Sequence, residues 1–173
     1  MIATGLLAGA VAFLGQMFAI SVASHSSART GTFAAVLAAQ KLEQLRGLTW
    51  SVGALGEPLS DLSTNLALPV QSPAGGQGLS HSPPNSLETN VEGYADYVDQ
   101  FGRILGGGST VPDRAVYIRR WSVEPLPANP TDTLVLQVVV KPRNRGTAGR
   151  HEGAVGRLPG EARLMSVKTR KAR

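Results

Sequence analysis

The chain has 173 residues, 17 basic and 12 acidic groups, and a formal net charge of +5. It contains no cysteine, which excludes disulfides, thiolate catalysis and cysteine-based zinc sites. Setting aside a membrane-grade segment leaves about 125 residues, enough for one small domain.

The first 46 residues read as one continuous helix whose two halves differ in character. Met1–Ala28 carries no charged residue, and through Ala23 only Thr4, Gln16 and Ser21 are polar. A bilayer core requires about 20 mostly apolar helical residues, which Met1–Ala23 supplies. From Arg29 onward the pattern becomes amphipathic. Phe33, Val36, Leu37, Gln40, Leu42 and Leu45 are expected on or near one face, with Arg29, Lys41, Glu43 and Arg46 on a more polar one. Arg46 followed by Gly47 is a basic last turn and a left-handed stop. Such a helix is roughly 70 Å long. Half of it suits lipid, and half requires a domain to cover its apolar stripe.

M-I-A-T-G-L-L-A-G-A-V-A-F-L-G at 1–15, followed by A-R-T-G-T-F-A-A-V-L-A-A-Q-K-L-E-Q-L-R at 28–46, resembles the N-terminal helix of type IV pilins and type II secretion pseudopilins. The likeness covers the first quarter of the chain and is closest to minor pilin-like members in A-A-Q-K-L-E-Q-L-R. In register, the family's glutamate would sit two residues before Met1, after a basic leader ending in glycine, so Met1 reads as an internal methionine. The flanking charges begin after the apolar run, which the positive-inside tendency assigns to the cytoplasm. The resemblance assigns that side outside, with the leader holding the N-terminus in, and we follow it. It implies a bacterial inner-membrane protein with a single pass and a periplasmic or extracellular C-terminal domain. It also implies a structural rather than enzymatic role, with other pilin or pseudopilin subunits, an inner-membrane assembly platform and a prepilin peptidase as partners. Gly5, Leu6, Gly9, Phe13, Gly15 and Phe18 are the expected helix-packing residues, the glycines allowing close approach.

Residues 48–93 form a Gly/Pro/Ser-rich connection, with six Gly, five Pro and seven Ser in Ser51–Gly93. Its prolines forbid long regular structure, leaving room for a short helical turn at Leu59–Leu68. Residues 94–169 then alternate with period two. Tyr94–Phe101 is predicted as a strand, with Gly102 as a turn and Arg103–Leu105 continuing beyond it. Gly106–Gly108 and Pro112 are expected in a loop. Val116–Val123 is a strand with Tyr117, Trp121 and Val123 on one face, ended by Pro125, Pro127 and Pro130. Thr133–Lys141 is the strongest strand, with Leu134, Leu136, Val138 and Val140 facing one way. Asn144–Gly160 reads as a basic loop and Ala162–Lys168 as a last strand.

The fold class is therefore α+β. A long N-terminal helix (apolar half 1–24, amphipathic half 25–47) packs on an antiparallel meander of three to four strands. Phe33, Val36, Leu37, Leu45, Leu134, Leu136 and Val138 form the expected helix–sheet core.

Chemistry is sparse. His25, His81 and His151 stand alone, no nucleophile or phosphate-loop motif is present, and no cofactor is indicated. Asp96, Asp99 and Asp113 match no calcium-loop spacing and read as solvated side chains. Charge is uneven: residues 1–100 carry three basic and seven acidic groups, residues 101–173 fourteen and five. Lys168, Arg170, Lys171 and Arg173 are the candidates for contact with DNA phosphates, against the ordinary reading of a solvated basic tail. Arg119–Arg120 is expected at a sheet edge or subunit contact. The alternative function is a signal-anchored envelope protein whose domain binds a ligand or DNA by itself.

Overall fold

The computed structural model describes residues 2–48, 50, 79–143 and 160–170; over residues 2–8 only the backbone is described. The predicted helical turn at 59–68, nearly all of the basic loop 144–160, His151 and the tail 171–173 lie outside the described residues.

Helix α1 runs without a break over Ile2–Gly47, 46 residues. Five strands follow: β1 (Ala95–Val98), β2 (Ile104–Gly107), β3 (Tyr117–Leu126), β4 (Asn129–Pro142) and β5 (Ala162–Thr169). They form one antiparallel sheet in the order β2-β1-β3-β4-β5. The sheet is thus one strand larger than predicted and is not a simple meander, because β2 folds back to the outer side of β1 while β3 pairs with its inner side.

Several predicted boundaries shift for local reasons. The strand expected at Tyr94–Phe101 is β1, which ends at Val98 because Asp99 opens the turn that holds Gly102. Gly106 and Gly107 belong to β2 rather than to a loop. A Cβ built on Gly107 would lie 2.7 Å from the Ala95 carbonyl oxygen, so only glycine permits this pairing. Pro125 lies inside β3 and Pro130 inside β4, instead of ending the strand. On β3 the N–H groups of Trp121 and Val123 point away from β4, to the Tyr94 carbonyl and the Ser82 hydroxyl. Pro125 shares their parity, so its missing N–H removes no bond to β4. Pro130 falls before the first β4–β5 pair, Thr133↔Thr169.

The C-terminal half of α1 covers β4 and β5. Ala34, Leu37, Ala38, Leu42 and Leu45 are buried against Leu134, Leu136, Val138, Val140 and Ala162. Phe33 is half-buried and packs on Tyr117 with ring centroids 5.4 Å apart. The β1–β3 side of this face is closed by Leu79 and Tyr94, the latter 6.5 Å from Trp121 between ring centroids. Val36 departs from expectation. It is 59% exposed and belongs to the solvent side, as does Gln40. The inward stripe is 34, 37, 38, 41, 42, 45, and its i+7 position is occupied by Lys41.

Candidate assembly interface

Lys41 was expected on the polar face and is instead 1% exposed. Its ammonium lies 2.8 Å from Asp96 Oδ2 and 4.0 Å from the centroid of the Trp121 ring. Arg119, expected at an edge, is fully buried on the central part of the sheet. Its Nε and Nη2 donate to the two carboxylate oxygens of Asp96, each at 2.8 Å, and its Nη1 donates to the Leu37 carbonyl at 3.2 Å. Asp96 and Arg119 are direct cross-strand partners. One carboxylate thus joins two cations, one from the helix and one from β3, while Arg119 also grips the helix backbone. Burial pushes the Lys41 ammonium down to about 8 against the opposing pull of Asp96, with Arg119 adding to the depression. Asp96 is therefore a buried ion-pair centre, not a solvated carboxylate. The group is saturated by protein partners and serves as the clamp that fixes the helix on the sheet.

Asp99 and Asp113 also have local duties. Asp99 Oδ1 accepts the N–H groups of Phe101 and Arg103, and Asp113 lies 3.8 Å from Arg143. No group of three or more metal-ligating side chains exists among the described residues.

The DNA candidates divide in the same way. The Lys168 ammonium donates to the carbonyls of Arg46 and Leu48, where the helix ends with unsatisfied acceptors; desolvation and nearby Arg46 lower its pKa. Arg170 lies 3.5 Å from Asp132 and its N–H donates to the Asp132 carbonyl. Lys171 and Arg173 lie outside the described residues. Lys168 therefore acts as a helix cap, which its alternation with the inward Leu164 and Ser166 makes readable in retrospect.

The contrast is at the other end of α1. Every residue from Gly9 to Arg29 is exposed. Val11, Phe13, Leu14, Met17, Phe18, Ile20 and Val22 are 54–74% exposed. Phe13 and Phe18, the expected packing residues, stand among them with no neighbour to pack on among the described residues, where a Cβ on Gly9 or Gly15 would also meet nothing within 4 Å. Gly5 and Leu6 lie on the same helix, in the stretch described by backbone alone. Apolar surface of this extent, continuous around a helix, marks a contact surface. Among the described residues no helix is long and apolar enough to cross a membrane. No family model, curated protein or solved structure matches the chain.

Proposed function

We propose that this chain is a structural subunit of an envelope filament, a minor pilin or pseudopilin, that assembles through the exposed half of α1. The observation that carries the reading is the division of one unbroken helix. Residues 34–45 are locked to the sheet by apolar packing and the Lys41–Asp96–Arg119 clamp, while residues 9–29 project with every side chain exposed. The uncharged run Met1–Ala28 suits storage in the inner membrane, and transfer into a filament core offsets extraction from lipid by burying the same surface among neighbouring helices. Small residues at Ala3, Gly5, Ala8, Gly9, Ala10, Ala12 and Gly15 favour close helix approach in either setting. The sheet domain then faces the periplasm or the exterior.

Topology and fractionation test this reading. A reporter fused after Arg173 is active outside the cytoplasm and the protein sediments with membranes; a cytoplasmic, freely soluble pool of a leader-bearing form contradicts it. The reading frame upstream of Met1 tests the family assignment: a basic leader followed by G-F-x-L-x-E-V, joined directly to Met1, supports it.

A further inference from the structure

We propose that the end of the domain from which the exposed helix departs, led by Phe101 and Arg103, is a contact surface for anionic phospholipid headgroups. This rests on the membrane-storage part of the proposed function.

Several elements converge at that end. A Cβ on Gly102, in the β1–β2 turn, would lie 3.6 Å from the Phe33 ring. Phe33 in turn packs on Tyr117 at the start of β3. Gly160, just before β5, adjoins Thr30 and Pro142. The loop before β3 is tied in as well, since Arg143 donates its backbone N–H to the Val116 carbonyl and its Nη1 to the Pro112 carbonyl. The helix level they surround, residues 30–33, begins just after Arg29, the first charge in the chain. Four residues of helix rise only about 6 Å. A membrane that receives the uncharged run therefore brings its headgroup layer to this end of the sheet.

The turn is built to present its side chains. Asp99 Oδ1 accepts the Phe101 and Arg103 N–H groups at 2.8 and 2.9 Å, the Asp99 carbonyl accepts the Gly102 N–H, and Gly102 adopts φ +83°. Phe101 is thereby held outward at 71% exposure, beside a half-exposed Ile104. The Arg103 guanidinium sits 5.7 Å from the Phe101 ring. Arg29, Arg103 and Arg114 are exposed at this end. Among the described residues three acidic groups share this end, Asp99 with Oδ1 taken by the turn amides, Glu161 at 3.9 Å from Lys141 and the fully exposed Asp113 at 3.8 Å from Arg143, and the five cations Arg29, Arg103, Arg114, Lys141 and Arg143 outnumber them. An aromatic wedge among cations fits an interface of apolar chains beneath anionic headgroups. The same cations oppose docking of two such ends on each other.

The chain has no cysteine, so single-cysteine variants of the full chain can carry a polarity-sensitive fluorophore at Phe101→Cys, Phe18→Cys or Thr131→Cys. They are reconstituted in phosphatidylcholine vesicles with and without phosphatidylglycerol. The probes at 18 and 101 blue-shift in phosphatidylglycerol vesicles, and the probe at 131, on the opposite hairpin, does not. The shift at 101 shrinks in pure phosphatidylcholine and on adding Arg103→Gln with Arg114→Gln. A probe at 18 in lipid with the probe at 101 in water overturns this inference and leaves membrane storage standing. A probe at 18 in water overturns both. A shift at 101 that follows protein density rather than phosphatidylglycerol overturns it in favour of contact between copies, and one unmoved by the glutamines overturns the headgroup recognition.

Discussion

Lys41 Nζ and Asp96 Oδ2 lie 2.8 Å apart with both side chains almost wholly buried, and this pair joins the helix to the sheet. Because Arg119 shares the same carboxylate, removing the anion strands two buried cations. Asp96→Asn is expected to destabilise the protein by about 3–5 kcal/mol, the usual cost of breaking a buried pair from one side. Lys41→Met leaves Asp96 balanced by Arg119 and should cost far less. Denaturant unfolding of the full chain in detergent measures both; equal losses would contradict the shared-carboxylate account.

Stability should also depend on pH in a particular direction. The folded Lys41 ammonium titrates near 8, below its ordinary value of 10.5. Between these values the unfolded chain binds more protons, so stability rises as pH increases through about 8. Lys168 shifts in the same direction. Tyr97 and Tyr117 are raised by burial, so their contribution is lost above about pH 10. The melting temperature should therefore peak between roughly pH 8 and 10, and Lys41→Met should flatten the rising limb.

The inward register is tested by two neighbours on α1 and one residue on β4. Leu37→Ala and Leu136→Ala each remove a buried leucine and should cost about 2–5 kcal/mol. Val36→Asp, on the solvent side, should stay within about 0.5 kcal/mol of wild type. Thermal melts that rank Val36→Asp with the leucine variants would refute this register.

Much of the architecture was readable in the sequence. The helix end follows from the Arg46–Gly47 pair, although Gly47 keeps helical backbone instead of the expected left-handed stop, and the inward faces of β3 and β4 follow from their period of two. The clamp was also present in that pattern and hidden by residue type. Lys41 fills the i+7 place in the stripe of Ala34, Leu37, Ala38 and Leu45. Asp96 alternates inward with Tyr94 and Val98, and Arg119 falls between Tyr117 and Trp121 on their face. Each charge alone looks like a solvent residue; on inward positions the two cations share one carboxylate, and only pairing in space reveals that. Val36 misled in the opposite sense, since an apolar residue adjacent to the stripe is tolerated on a surface. The first half of the edge strand β2 was readable at Arg103–Leu105, but its second half, Gly106 and Gly107, was hidden because glycine has no side chain to carry a period.

Assembly and folding should separate at Gly9 and Gly15. A Cβ at either position meets nothing within 4 Å among the described residues, so Gly9→Leu with Gly15→Leu should leave the melting of the sheet domain unchanged while reducing recovery in sheared filaments. Loss of both together would indicate that the glycines serve the fold instead.

The most direct test of assembly through the helix is photo-crosslinking in the host cell with p-benzoylphenylalanine at Phe18. The account predicts adducts from position 18 to another copy of the chain or to another filament subunit through its own N-terminal helix, and none from Thr131 on the far hairpin. Position 18 yielding no protein adduct, while the protein is folded and at the membrane, would contradict it.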